Sequence, residues 1–460
     1  MIVINFNKFN KINLTKNDLK IISLITIPAF VEMLLSQLFS MVDIIMLGKT
    51  SISSIAIAAV GFTNNPVNLM IGVIQAFCIG TTTAVAWSIG AVNAENAKAV
   101  VRQSIIFISI IGIIASAIGV FAAEPIVIFM GAKGEVLPYS IDYLRYIAAG
   151  FLFQSVSMCI TASLRGVGLT KLPMLYNLIA NGLNVFFNYI LIYGKLGFPE
   201  MGVAGAAIAT TLSKVVAFVI SLLILFLKDT PIRIKLTEDF RLRISILKRI
   251  FDVGITAALE QLSMQVGFIF FTKTVSVLSI PVFAAHQIGL NINGLCWVPS
   301  QAFGVAATTL VGQSIGAGNK DKAKKYARFI HMLSLFSSLF IAIIFMLWSE
   351  NIAGLYSNDP AVIKPAGEVL KLIALGMPGI ATQLPISAAL RGAKDTRFPL
   401  LANICGIWIF RVIAAPIFVH VFQWGIHGAW WTIVLDQTCR AVIVYIRFLK
   451  GKWLNKKIIT

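Results

Sequence analysis

Four carboxylic acids stand inside long apolar stretches of this chain: Glu32, Asp43, Glu260 and Asp436. Ionisable groups in such settings are costly, and they are usually functional or paired. Such a carboxylate can trade its charge with a proton, and its oxygens can ligate a sodium ion. Asp43 has Ser36, Gln37 and Ser40 nearby in sequence, and Glu260 has Gln261, Ser263 and Gln265. Asp43 is therefore the candidate ion-exchanging acid and a candidate sodium ligand. The rival reading is an ion pair with Lys214, and the two readings can coexist. Glu260 is a candidate ligand for a cation or a cationic substrate. For Glu32, a helix cap or a bond to a neighbouring helix explains the residue at least as well as function does.

Asn177, Asn181, Asn184 and Asn188 follow one another at spacings of four, three and four. That series puts four amides on one face of a helix. An amide face in an apolar helix is expected to meet a polar cavity or the polar groups of another helix. Asn184 is a cavity candidate, with plain interhelical bonding as the alternative. Asn188 can ligate a cation or bond a protonated Asp43. Asp436 and Arg440 are four apart on one helical face, where Arg411 could join them in a satisfied charge cluster. His286 titrates near neutral pH if solvated, but a buried, hydrogen-bonded histidine is the simpler reading. Trp297, Trp408, Trp424, Trp430 and Trp431 fit a cavity wall or an interfacial belt, and Trp424 reads as interfacial. No HExxH, Walker, DxD or Ser/His/Asp pattern occurs, and there are only four histidines. No catalytic residue, cofactor or enzymatic activity is expected.

The elements that must hold these groups are membrane helices. Hydrophobic residues make up 58% of the 460 and charged residues 12%, against about 25% charged in a soluble protein. A helix needs about 20 apolar residues to cross a bilayer. Twelve such spans are expected, at 20–47, 53–83, 101–122, 138–163, 173–193 and 203–227, then 248–278, 282–312, 327–348, 364–389, 398–421 and 427–449. Barrel-type alternation is absent from these runs. The two sets of six are copies. Gln75-Ala76-Phe77, Ser88-Ile89-Gly90-Ala91-Val92-Asn93 and Leu164-Arg165-Gly166 return 226 residues later as Gln301-Ala302-Phe303, Ser314-Ile315-Gly316-Ala317-Gly318-Asn319 and Leu390-Arg391-Gly392. Six spans per copy leave both copies in one orientation, so the expected fold is an all-α integral membrane protein with two six-helix lobes related by a parallel repeat. Residues 1–235 form the first lobe and 236–460 the second. Residues 228–247 read as a basic linker or short surface helix. The Leu-Arg-Gly segments are expected in loops, where glycine permits a tight turn and arginine holds helix-end carbonyls or lipid phosphate. Ala97-Lys98 and Ala323-Lys324 are expected to open amphipathic turns.

The net charge of +19 is a topology signal. Lys8, Lys11, Lys16 and Lys20, the linker bases, Lys320 to Arg328, and Arg447 to Lys457 all fall on one side if both termini are cytosolic, while Glu124, Glu135, Glu200, Glu350 and Asp359 fall on the other. Cytosolic loops carry such an excess of bases. A multi-pass plasma-membrane protein is expected, in contact with lipid and with no nucleic-acid partner. No cleavable signal is evident in the polar residues 1–19. Cys78, Cys159, Cys296, Cys405 and Cys439 fall in or beside spans without a CxxC pair, and they read as packing residues.

These residues resemble the multidrug and toxic compound extrusion (MATE) family over nearly the whole length. The likeness rests on Val42-Asp43 and Leu47-Gly48, on Gly202 followed by Gly205-Ala206-Ala207-Ile208-Ala209-Thr210, on Ala284-Ala285-His286-Gln287, and on Val311-Gly312-Gln313-Ser314-Ile315-Gly316-Ala317-Gly318. Asp436, Arg440, Arg447 and Gly451-Lys452-Trp453 resemble one prokaryotic branch. The resemblance implies antiport: export of amphipathic, cationic drugs or metabolites driven by protons or sodium ions, through alternating access, by a monomer. It implies a coupling role for Asp43 and a cavity role for Asn184. Where archaeal-type relatives carry an aspartate this chain has Asn188, which puts a two-carboxylate switch in doubt. Met264 and Ile380 stand where some sodium-coupled relatives carry acids, so their full second-lobe sodium site is missing. The candidate set is Asp43, Asn184, Asn188, Glu260, Gln37, Thr210, Lys214 and His286. The alternative function is a lipid-linked oligosaccharide flippase of the related superfamily, against which twelve spans and few buried lysines count.

Overall fold

The computed structural model describes residues 15–50, 52–235, 237–356 and 359–456. Lys8, Lys11 and Lys457, assigned above to the basic side, lie outside these, as does residue 236 at the expected lobe boundary. The described residues form helices and no strand. In chain order they are α1 (Lys16–Leu47), α2 (Ser53–Gly90), α3 (Ala94–Phe121), α4 (Ala123–Phe129), α5 (Val136–Ala149), α6 (Phe151–Val167), α7 (Lys171–Tyr193) and α8 (Gly202–Leu227). The second copy gives α9 (Ile244–Val275), α10 (Ile280–Gly316), α11 (Lys320–Gly354), α12 (Pro360–Gly392), α13 (Arg397–Gly406) and α14 (Gly425–Leu449). Beyond α13 the chain winds on as π-helical turns at Ile407–Ala414 and Ile417–Val421.

Among the described residues ten helices are long and apolar enough to cross a membrane, and α5 with α6, bent by 46°, makes an eleventh if the pair is one span. The 25-residue α14, with Asp436 and Arg440 at its centre, stands where the twelfth span was expected. Faces such as Ile110, Ile113, Ile114 and Ile118 of α3 and Phe336, Phe340, Ile343 and Leu347 of α11 stay exposed, as lipid-facing surfaces must. The inner helices pack through small residues: in α2, Ala76, Gly80, Thr81, Thr83, Ala84 and Ala86 are buried. Apolar lipid gives helices little reason to associate, so close packing of small side chains carries the association.

Several boundaries depart from the expected ones, for a common reason. α2 and α10 run through the Ser-Ile-Gly segments and end at Gly90 and Gly316, because Asn93 and Asn319 then cap α3 and α11 by accepting from the backbone N–H of Asn96 and Lys322, each at 2.9 Å. Ala97-Lys98 and Ala323-Lys324 therefore lie in the first turns of α3 and α11 and open no separate amphipathic turn. The Leu-Arg-Gly segments are likewise helical, in the last turns of α6 and α12. The left-handed residues that follow are Gly168 (φ 98°) and Lys394 (φ 64°). Gly166 and Gly392 serve close approach instead. A Cβ on Gly166 would lie 2.7 Å from the Thr82 carbonyl oxygen, and one on Gly392 would lie 2.9 Å from that of Thr308.

The two copies make two bundles that, among the described residues, pack together mainly towards one end. Ala115, Ile147, Phe151 and Ala207 form a cluster confined to the first bundle, and Phe271, Ile292, Leu370 and Trp430 belong to one confined to the second. Among the described residues, the clusters of buried side chains that both copies share lie towards the end that carries the basic segments. There Ile22 and Ile25 of α1 join Leu310, Tyr326 and Ile330, and Ile246, Ile250 and Val253 of α9 join Trp87, Val100 and Ile160. The described residues of 228–243 are irregular, and 244–247 belong to α9. The linker is tied to α3, where Gln103 donates to the Arg241 carbonyl at 2.7 Å and accepts from the Arg243 N–H at 2.8 Å, and Arg102 pairs with Glu238.

Candidate functional site

A cavity of about 1040 Å³ separates the bundles above their shared end. Its walls hold Glu32, Gln37, Gln75, Arg165, Asn177 and Lys214 from the first copy, and Glu260, Gln261, Gln301, Arg391, Asn403 and Arg440 from the second. The charged groups form two clusters that repeat the sequence copies. In the first, Arg165 Nη2 pairs with Glu32 Oε2 at 2.9 Å, and Asn177 Nδ2 donates to Glu32 Oε1 at 2.7 Å. In the second, Arg391 Nη1 and Asn403 Nδ2 both donate to Glu260 Oε2 at 3.0 Å. Arg165 and Arg391, like Asn177 and Asn403, stand 226 residues apart. The Leu-Arg-Gly arginines thus bind cavity carboxylates, not the helix-end carbonyls or lipid phosphates expected of loop residues. Glu32 is correspondingly a cavity acid rather than a cap.

The second cluster continues inward. Asn403 Oδ1 accepts from Arg440 Nη1 at 2.9 Å. Arg440 Nη2 and Arg411 Nε donate to Asp436 Oδ2 at 2.7 and 2.6 Å. Arg411 joins Asp436 and Arg440 as anticipated, but the group is no isolated structural cluster, because Asn403 connects it to Glu260 and the cavity. Arg440 and Asp436 are 1% and 0% exposed, so charges must be matched within the network itself.

Asp43 lies near the far end of α1, inside the first bundle and outside the central cavity walls. Asn188 Nδ2 donates to Asp43 Oδ1 at 2.6 Å and to Asn184 Oδ1 at 3.4 Å, and Asn184 Nδ2 reaches Thr210 Oγ1 at 3.4 Å. Lys214 closes no ion pair with Asp43 in this state. The amide face of α7 meets α1 along its length: Asn177 bonds Glu32, Asn181 bonds Ser36 at 3.3 Å, and Asn188 bonds Asp43. For Asn184 this is interhelical bonding, and a place in the central cavity is not observed. Asn188 Oδ1 is buried and has no hydrogen-bond partner among the described residues.

Of the eight candidates, Gln37, Lys214 and Glu260 line the cavity; Asp43, Asn184, Asn188 and Thr210 form the inner cluster of the first bundle. His286 belongs to neither. Its ring is fully buried among Phe271, Phe283 and Trp430, with centroids 5.7, 6.1 and 5.6 Å away, and neither nitrogen has a hydrogen-bond partner among the described residues. It is buried as expected but not hydrogen-bonded. Trp297 lines the cavity, Trp408 donates to Ser263 Oγ at 3.1 Å, and Trp430 is in the core. The sequence marked Asn177 only as part of the amide face of α7, and it did not mark Arg165, Arg391 and Asn403 as site residues. The signal was present: each is a polar residue of one copy returning at the repeat interval. All five cysteines are free.

The MatE family model matches residues 28–190 and 256–417, one stretch in each copy. The chain belongs to the MatE family. Its members are multidrug efflux transporters of the MATE type, and the two bundles described above are the lobes of that fold. A probable multidrug resistance protein NorM of Thermotoga maritima is 32% identical to this MATE chain over 443 residues, which cover 95% of this chain and 93% of that protein. A solved outward-facing MATE multidrug resistance transporter of the MOP superfamily superposes with a TM-score of 0.88 at 28% identity, covering 96% of this chain and 97% of the other. A MOP superfamily transporter from Pyrococcus furiosus, described as having a binding pocket of reverse polarity that suggests a different function, superposes at 0.87 with 28% identity and the same coverage.

Proposed function

We propose that this MATE transporter is an ion-coupled antiporter that moves amphipathic organic cations out of the cell in exchange for protons or sodium ions. The observation that carries the reading is a central cavity between two repeat-related lobes whose hydrogen bonds to each other, among the described residues, gather at one end. With residues 1–235 and 236–460 as the rocking units and the basic end in the cytosol, the observed state opens outward. Asp43 is the coupling acid. A proton or sodium ion entering from outside binds its carboxylate, and the unpartnered Asn188 Oδ1 is at hand to accept from the protonated acid or to ligate the ion. Ion binding there removes the attraction that Asp43 offers a cation, so substrate leaves and the ion-loaded lobes rock inward. Both lobes work as a single chain in the plasma membrane.

A second reading changes the cargo. The cavity wall holds Arg165, Lys214, Arg391 and Arg440 against Glu32 and Glu260, and both acids are already bound to arginine. The few lysines noted from the sequence thus understate how basic the wall is. A basic wall favours an anionic amphiphile such as a lipid-linked phosphate. The pocket of reverse polarity described for the Pyrococcus furiosus relative supports keeping this reading in view. The test is purified protein in liposomes under a pH gradient or a sodium gradient, with a fluorescent organic cation and, separately, a lipid-linked saccharide phosphate. Cation export under one gradient supports the first reading and names the ion. Movement of the phosphate-bearing lipid alone overturns it.

A further inference from the structure

The contacts that shut the basic end are themselves repeat-related. Trp87 Nε1 donates to the Gly392 carbonyl at 2.6 Å across the lobe interface. Gln313, at the position of the second copy that matches Trp87, donates from Nε2 to the Gly166 and Val167 carbonyls at 3.0 Å. Thr309 Oγ1 adds a bond to the Arg165 carbonyl at 2.8 Å. Beneath them Gly90 and Gly316 cross, each against the other helix's backbone at Gln313 and Trp87, with no room for a Cβ. These four acceptors are all carbonyls in the last turn of α6 or α12; the Lys325–Asp18 ion pair at 2.6 Å also joins the lobes at this end.

Those two turns also carry Arg165 and Arg391. The carbonyl of Arg165 is held by the opposite lobe, while its guanidinium is held by Glu32 of its own lobe. Arg391 stands one residue before Gly392, whose carbonyl accepts from Trp87, and its guanidinium is held by Glu260. Glu32 and Glu260 are 7% and 6% exposed and both line the cavity; Glu32 Oε2 is held in the ion pair with Arg165, while Glu260 Oε1 is buried with no hydrogen-bond partner among the described residues. A cation arriving at either carboxylate meets an arginine already bound to it, on Oε2 in both cases.

We propose that the twin Glu32–Arg165–Asn177 and Glu260–Arg391–Asn403 clusters are exchange sites for a monovalent cation, and that the arginine displaced from its glutamate loosens the last turn of its helix and so unlatches the closed end. Arg165 and Arg391 are positioning residues: they transmit carboxylate occupancy to carbonyls that the other lobe holds. The scheme rests on the alternating-access reading. It supplies a reason for the ion-loaded, outward-open lobes to separate at their closed end, and it does not depend on the identity of the cargo.

The test measures closure directly, with no transport involved. Spin labels at Ala94 and Lys320, exposed first residues of α3 and α11 on opposite lobes, report the gap at the closed end in a full-length chain freed of its native cysteines. Each latch hydrogen bond lost should shift the open-to-closed ratio about fivefold. Trp87→Phe removes one bond without touching the cavity, and Glu32→Gln removes the hold on Arg165. Both should raise the long-distance population. Arg165→Lys, which keeps the charge, should return most of the closed form that Arg165→Gln loses. If Glu32→Gln folds poorly, Glu32→Asp keeps the charge, shortens the reach and should give an intermediate shift. A long-distance population that rises for Trp87→Phe but is unchanged for Glu32→Gln or Glu32→Asp would show a latch that ignores the cavity and would overturn the proposal. If neither set moves, there is no latch. Shifts as expected in a protein that exports no cation would leave this proposal standing and sink the antiporter reading.

Discussion

Glu260→Gln should destabilise this transporter far more than a neutral amide swap suggests, and Glu260→Gln with Arg391→Gln should restore most of the loss. Charge balance in the second-lobe network sets the size of the effect. Arg391, Arg440 and Arg411 face Glu260 and Asp436, three positive against two negative. Glutamine at 260 keeps the size and one acceptor but leaves three cations facing one anion. The Glu260 and Arg391 side chains are 8% and 13% exposed, so water from the cavity compensates little. Breaking one side of a buried ion pair costs about 3–5 kcal/mol, because the stranded partner keeps its desolvation penalty. Removing both partners takes that penalty away, so the double variant should lie within about 1–2 kcal/mol of wild type. Thermal unfolding of purified protein, followed by tryptophan fluorescence in one detergent, gives the four corners of the cycle. The double variant unfolding at the temperature expected from summing the two single losses would refute the coupling. So would a single variant as stable as wild type.

Other expectations follow from single contacts. Asp43→Asn should insert and fold as wild type does, yet lose gradient-driven export in liposomes; full export by this variant would remove Asp43 from the mechanism. Gly90→Ala or Gly316→Ala places a Cβ against the backbone of the crossing helix. Each should therefore depopulate the closed end in the label-distance measurement, and an unchanged distance distribution would argue against a tight crossing. His286→Phe exchanges a buried ring with no hydrogen-bond partner among the described residues for an apolar one. Exchanging an unsatisfied buried polar group for an apolar one of similar shape is near neutral or stabilising. Stability and transport should both survive, and lost coupling with intact folding would give the histidine a role that its surroundings do not suggest. Arg411→Met leaves Arg440 as the partner of Asp436, and it should cost less than Asp436→Asn, which strands both arginines. The reverse order in thermal unfolding would contradict the network.

The sequence by itself determined the fold class of this protein. Long uncharged stretches can satisfy their backbone in lipid only as helices, and the recurrence of Gln-Ala-Phe, Ser-Ile-Gly-Ala and Leu-Arg-Gly at one interval makes the two lobes copies. The sequence also marked Asp43, Glu260 and the asparagine face of α7, because an ionisable or amide group in a membrane helix must have a partner. Which partner is a property of the tertiary structure. Glu32 and Arg165 are 133 residues apart in the chain, and Glu260 and Arg391 are 131 apart; nothing local in sequence joins them. Helical periodicity says which residues share a face, not which helix that face meets. For that reason Arg165 and Arg391 read as loop residues although they sit in the cavity wall, and Asn184 read as a cavity residue although it bonds Thr210 within the first lobe. The basic balance of the cavity was hidden for the same reason: counting acids along the chain cannot show that an arginine from a distant helix already occupies each one in the wall.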